Sequence, residues 1–174
     1  SDRTANNQSI VIRLTPIDAR GTEFSDGSFL LPGDAEIESW ERMIEADRGS
    51  LRARYLKVAH HGSQTGTNEA ILDAVKPEYG IICAGKNKHG LPDGPILTML
   101  QNKGVKIICT GRNPEPPPDV HCCEPAYQAL CPRHDAATGK GLETPVVFEI
   151  DTDPPPGTPP GLLSPALKTC GNNW

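Results

Sequence analysis

Through the first two thirds of the chain, short β-branched runs alternate with stretches whose apolar residues recur every three or four positions. Ser9–Leu14 (SIVIRL), bounded by Asn6-Asn7 and Pro16, reads as a strand. Ser28–Pro32 (SFLLP) is a second short one. Asp34 then stands where a helix cap belongs. Ile37, Trp40 and Ile44 follow at helical spacing up to about Asp47, and Gly49 marks the stop. Tyr55–Ala59 (YLKVA) is the next strand, and a helix from Asn68 to Val75 ends before Lys76-Pro77. Tyr79–Ala84 (YGIICA) is a strand. Pro95 opens a helix carrying Ile96, Leu97 and Leu100 that ends at Gly104, and Val105–Thr110 (VKIICT) closes the series. Strands alternating with helices predict an α/β layer arrangement.

Beyond Gly111 the pattern breaks. Of the 18 prolines, 13 lie after residue 112, so residues 1–112 are expected to form the α/β unit and 113–174 an irregular Pro/Cys-rich extension. One strand is predicted there, near 145–150 (PVVFEI), ahead of a segment (DPPPGTPPG) that cannot join a sheet interior. Leu162, Leu163 and Leu167 would let that tail dock. No internal repeat is visible. At 174 residues the chain suits one domain. No run approaches the ~20 apolar residues of a spanning helix, and Ser1-Asp2-Arg3-Thr4 has no charged-then-apolar signal pattern. Disordered, collagenous and membrane-spanning classes are excluded, and the cytoplasm is the expected compartment.

Charge changes the picture through its placement. Residues 1–56 carry 7 basic and 10 acidic side chains, residues 57–112 carry 7 and 4, and residues 113–174 carry 3 and 8. A basic centre within a chain of net charge −5 fits an anionic substrate better than a nucleic-acid-coating surface. Scattered solvated charge is the plain alternative.

The 6 cysteines are too sparse for a disulfide scaffold. Cys83 and Cys109 fall in predicted strands, where the thiol serves as a small apolar group. His121, Cys122, Cys123, Cys131 and His134 offer soft donors close together, and a structural zinc is conceivable there. Adjacent cysteines are not zinc-finger spacing, however, so ordinary loop cysteines or an exported disulfide are favoured.

The densest polar cluster sits at strand ends. Gly33-Asp34 follows SFLLP, His60-His61-Gly62-Ser63 follows YLKVA, and Lys86-Asn87-Lys88-His89-Gly90 follows YGIICA. Loops leaving the carboxyl ends of strands collect on one edge of an α/β sheet, where ligands bind. Asp34 taken alone could be only a helix cap. Two adjacent histidines before Gly-Ser are harder to explain structurally.

The strings NNQSIVIRL, GSFLLPGDAE and LKVAHHGSQTGTNEAILDAVKPEYGIICAGKN resemble the metallo-β-lactamase-type domain of the DNA-uptake competence protein ComEC and its soluble hydrolase relatives. The likeness runs from about Asn6 to Gly111, and nothing after residue 112 contributes. It implies a four-layer αβ/βα sandwich with a metal site along one edge. The Gly-Asp at a strand end implies a metal-binding carboxylate at Asp34, and the His-His-Gly-Ser turn places His60 to Ser63 at the active site. His60 is then the expected second ligand, with His61, Ser63 and His89 in catalytic roles. A carboxylate and neutral imidazoles suit Zn²⁺ or Mn²⁺, and two such ions could activate a water against a phosphodiester. Whichever imidazole is unligated could protonate the leaving oxygen, while Lys86 and Lys88 could neutralise phosphate charge.

Two departures qualify the resemblance. The superfamily's His-x-His-x-Asp-His string is absent, since the five histidines stand at 60, 61, 89, 121 and 134. The chain is therefore expected to be the C-terminal half of such a domain, with the N-terminal metal-binding half elsewhere. The family's Asn-x-Tyr-Gly-His-Pro also reads Asn87-Lys88-His89-Gly90-Leu91-Pro92 here. His89 is the candidate replacement, although alternate residues of an extended segment face opposite sides.

Three functions compete. The first is a metal-dependent hydrolase of phosphodiesters or nucleic acid. The second is a non-catalytic binding or scaffold module that keeps the fold without the metal. A lactonase or β-lactamase activity is less favoured, because fold alone does not fix substrate. Half a sandwich would leave one sheet face apolar and uncovered, so the chain is expected to pair with its missing half or with a second copy.

Overall fold

In the computed structural model, residues 5–18, 20–24, 27–84 and 87–109 and the strand residues 146–147 and 168–169 are described. The β-branched runs form strands, each shorter than its run: β1 (Ile12–Leu14), β2 (Phe29–Leu31), β3 (Tyr55–Lys57), β4 (Tyr79–Ile82) and β5 (Lys106–Cys109). They lie side by side in chain order. β1 is antiparallel to β2, with Ile12 opposite Leu31 and Leu14 opposite Phe29. β2 through β5 are parallel, and Phe29 and Leu30 register with Tyr55 and Leu56.

Three crossovers carry the helices α1 (Ile37–Asp47), α2 (Glu69–Val75) and α3 (Gly94–Asn102). Each crossover steps one strand further in the same direction. Right-handed crossovers that never reverse put every helix on one face of the sheet. The core agrees: Leu30, Leu56, Ile82 and Ile107 from the strands cluster with Trp40, Leu72, Val75, Ile96 and Leu100 from the helices. Gly80 belongs to this face, where a Cβ would lie 3.2 Å from Val105 and 3.4 Å from Val58.

The helix-free face holds a second cluster, Tyr55, Tyr79, Ile81 and Ile108, with Phe29 and Cys83 against it. The rings of Phe29, Tyr55 and Tyr79 stack in series across β2, β3 and β4, with centroids 4.5 and 5.1 Å apart. Its centre is buried, contrary to the expectation of an uncovered face. At the β1 edge, Ile12 and Leu14 share the face of Leu31 and Phe29 and are exposed, as is Ile10. At the amino ends of β3, β4 and β5, Glu78 takes Arg54 Nε at 2.6 Å and Lys106 Nζ at 2.9 Å. Both cations also lie over tyrosine rings.

One helix starts later than its sequence predicts. α1 begins at Ile37, and Glu36 stands at its cap position without a side-chain cap bond. The Ile37 amide donates instead to the Thr65 carbonyl at 3.0 Å, so the loop after β3 satisfies the helix start. Asp34 is thereby released from capping. α2 begins at Glu69, one residue after the expected start, and Asn68 is its cap, the side chain accepting from the Ile71 amide at 3.0 Å. The strand expected near 145–150 is present as β6 (Val146–Val147), paired with a strand the sequence did not reveal, β7 (Lys168–Thr169). The rest of the extension, including the histidine and cysteine cluster at 121–134, lies outside the described residues. Among the described residues no helix is long and apolar enough to cross a membrane.

Candidate functional site at the carboxyl edge of the sheet

The loops leaving β2, β3 and β4 share one edge because those strands are parallel neighbours. After β2, Gly33 turns with φ +62 and the Asp34 amide donates to Ser9 Oγ at 3.3 Å. After β3, a tight turn over Ala59–Gly62 places His60, His61 and Gly62 in succession in the left-handed region, at φ 46, 56 and 84. Two successive non-glycine residues there are costly, and such strain persists only where the surroundings fix it. They do so here. Ser63 N donates to the His60 carbonyl at 2.9 Å, Asp93 N to the Gly62 carbonyl at 3.0 Å, and Gln64 N to Asp93 Oδ2 at 2.8 Å.

This turn points the two imidazoles at different partners. His61 Nδ1 meets the Cys83 carbonyl in a short hydrogen bond. A carbonyl only accepts, so Nδ1 carries the proton and, in the neutral ring, Nε2 keeps a lone pair. That Nε2 lies 3.6 Å from Asp34 Oδ1, with both side chains roughly half-exposed. His60 Nδ1 faces Thr65 Oγ1 at 3.0 Å and Glu36 Oε1 at 3.7 Å. Ser63 Oγ lies 3.1 Å from the same Thr65 hydroxyl and joins the support of His60.

Asp34 therefore has His61 beside it, while His60, expected as its fellow ligand, is turned toward Glu36 and Thr65. Lys57, at the end of β3, completes the cluster. Its Nζ donates to the Gly33 carbonyl at 2.7 Å and to Asp34 Oδ1 at 3.3 Å.

The loop after β4 is organised by Asn87, whose Oδ1 accepts from the amides of His89 and Leu91, both at 3.0 Å, and whose amide donates to the Leu91 carbonyl at 2.8 Å. Lys88 and His89 are exposed. No hydrogen bond or ion pair joins the His89 imidazole to another described residue. Lys86 lies outside the described residues.

The donor types fit a divalent cation in part. A carboxylate and an imidazole with its tautomer fixed through a backbone carbonyl are the ligand types of zinc and manganese sites. Their number is two, and among the described residues no group of three or more His, Cys, Asp or Glu side chains could hold a metal ion.

Sequence reasoning missed Lys57, Glu36 and Thr65. Lys57 left a signal: a lysine inside an apolar run of an interior strand is expensive unless matched. Glu36 and Thr65 left none, because both act through a contact between distant loops.

A polar cluster at the carboxyl edge of a sheet wound in one direction is the class of site the chain presents. Comparison with known proteins places it beside competence proteins. Over 109 residues the chain is 31% identical to ComE operon protein 3 of Bacillus subtilis (strain 168), a stretch covering 62% of this chain and 13% of that protein. Over 106 residues it is 27% identical to competence protein ComA of Neisseria gonorrhoeae, covering 60% of this chain and 14% of that one. Over 74 residues it is 41% identical to Recombination protein 2 of Haemophilus influenzae, covering 42% and 9%. The chain thus spans a small fraction of the length of each relative. No family model matches it.

Proposed function

We propose that this chain contributes one half of a metal-dependent phosphodiester hydrolase acting on DNA during its uptake, with Asp34 and His61 holding the cation. The Asp34–His61 pair carries this reading. At 3.6 Å the two groups are too far apart for a good hydrogen bond. A lone pair and a carboxylate facing each other at that distance are compatible with a shared cation, beside the Lys57 ammonium that already donates to the same oxygen. Zn²⁺ and Mn²⁺ both accept this donor set. When bound, such an ion lowers the pKa of a coordinated water and polarises a phosphoryl oxygen.

The chain's own groups divide the remaining work. His60, held by Thr65 and Glu36, is free of the metal and placed to give a proton to a leaving oxygen. Ser63 steadies that arrangement through Thr65. Lys88 is exposed on the loop of the same edge, where an ammonium group would meet phosphate. A catalytic zinc takes three protein ligands, so further donors must come from outside the described residues. The four-layer sandwich is part of this proposal. One-directional winding, helices on a single face and a second apolar face are what half of it would contribute. The likeness to competence proteins supports DNA as the substrate.

A second reading, a non-catalytic module of the uptake machinery, is favoured by the donor count. Calorimetric titration with Mn²⁺, run beside cleavage of a single-stranded oligonucleotide, separates the two. Binding that disappears in both Asp34→Ala and His61→Ala supports the hydrolase. Unchanged Mn²⁺ uptake in both variants removes the pair from any metal site. Oligonucleotide binding indifferent to metal and to both substitutions favours the module.

A further inference from the structure

Each helix has a polar residue at its cap position: Glu36 for α1, Asn68 for α2 and Asp93 for α3. Only Asn68 spends its side chain on its own helix. A cap side chain accepts from the second or third amide of the helix it precedes. In α3 the second residue is Pro95, which has no N–H. The third, Ile96, already donates to the Asp93 carbonyl at 3.1 Å. The Asp93 carboxylate is therefore released from capping.

It is used elsewhere. Asp93 Oδ2 accepts from the Gln64 amide at 2.8 Å, and the Asp93 amide donates to the Gly62 carbonyl at 3.0 Å. One residue thus grips the loop after β3 on both sides of Ser63. Its neighbour Pro92 sits against the same turn, close enough that a Cβ on Gly62 would lie 2.7 Å from Pro92 Cβ.

We propose that Asp93 is a positioning residue of this site, clamping the left-handed turn that aims the His61 imidazole. His60 and His61, at φ 46 and 56, hold a conformation costly for L side chains. Such a turn keeps its shape only where its surroundings fix it. The bond from the Ser63 amide to the His60 carbonyl closes the turn but does not anchor it to the rest of the fold. Upstream, the His60 amide donates to the Gly33 carbonyl at 3.3 Å. Downstream, the anchor is Asp93. With both in place, His61 Nδ1 meets the Cys83 carbonyl and Nε2 faces Asp34 Oδ1 at 3.6 Å. Released at one end, the histidines return to negative φ and the imidazole swings off both partners. The inference rests on the reading of Asp34 and His61 as the working pair of the site, and it needs no bound metal.

Nitrogen-15 NMR of the imidazoles in the metal-free full chain tests this, in mildly alkaline buffer where neutral rings dominate. The variants are Asp93→Ala, Asp93→Leu and Asp93→Asn, with Asn68→Ala as a control that removes a true helix cap. Thermal melts establish which are folded, and two replacements without an acceptor guard against failure of either one. Wild type should show the His61 proton held on Nδ1. Both non-accepting variants should lose that preference. Asp93→Asn, whose amide oxygen still accepts from Gln64, should keep it. Asn68→Ala should lower the melting temperature and leave the His61 signals in place. An unchanged His61 pattern in folded Asp93→Ala or Asp93→Leu overturns the proposal. So does an equal change in Asn68→Ala, loss of the pattern in folded Asp93→Asn, or a wild type without the Nδ1 preference. Mn²⁺ uptake indifferent to Asp34→Ala and His61→Ala would instead remove the metal reading and leave the role of Asp93 standing.

Discussion

Nε2 of His61 lies 3.6 Å from Oδ1 of Asp34 because the two residues leave the carboxyl ends of neighbouring parallel strands in fixed register. Phe29 and Leu30 pair with Tyr55 and Leu56, which carries Lys57 to the end of β3 beside the Gly33-Asp34 turn. A slip of one residue would turn Lys57 to the helix side of the sheet and break the cluster. The register is held by the ring stack of Phe29, Tyr55 and Tyr79 on one face and by Leu30 and Leu56 in the core on the other.

The turn that aims His61 depends on Gly62. At φ +84 an L side chain is strained, and a Cβ there would lie 2.7 Å from Pro92 Cβ. Gly62→Ala is expected to destabilise the protein by about 1–3 kcal/mol. A lower melting temperature, with loss of whatever metal affinity the wild type has, is the expected pair of observations.

Trp40 is fully buried in the helix-side core. Trp40→Ala should cost about 3–5 kcal/mol, read as a shift of the urea midpoint. A much smaller cost would mean that α1 is not packed on the sheet as described.

Acid sensitivity has a specific source at the other edge. Burial pushes the Glu78 carboxyl up, but hydrogen bonds from Arg54 and Lys106 outweigh it and hold the group below its ordinary 4.5. A carboxyl depressed in the folded state adds stability above its unfolded value, and that stability is lost as pH falls through the lower folded value. Glu78→Gln should therefore be less stable than wild type near neutrality, and the gap should close in acid. Glu78 is partly exposed, so solvent screening keeps the effect modest. Equal stability of the two proteins across that range would show the network contributes nothing.

The order of strands and helices was legible because each crossover has a clean change of period, from short β-branched runs to Ile37, Trp40 and Ile44 at helical spacing. Strand lengths were not, since a residue such as Ser9 answers to another loop, its Oγ accepting from the Asp34 amide. Asp34 read equally well as a cap or a ligand. The structure decides against the cap because the Ile37 amide finds Thr65 across the fold, a contact no local pattern encodes.

The pairing of Asp34 with one histidine was legible only in kind. Which imidazole faces it follows from the left-handed turn at His60 and His61 and from the Cys83 carbonyl, and neither can be read from adjacent letters. Lys57 was readable in principle, as a charge inside an apolar strand. β7 was not, because two paired residues beyond a proline-rich segment carry no periodic signal.

Nuclear magnetic resonance of the histidine rings during Mn²⁺ addition tests the central claim most directly. Paramagnetic broadening that removes the His61 ring signals first, leaves His89 sharp and disappears in Asp34→Asn is the predicted result. Broadening that ignores Asp34→Asn, or that strikes His89 while His61 stays sharp, would contradict it.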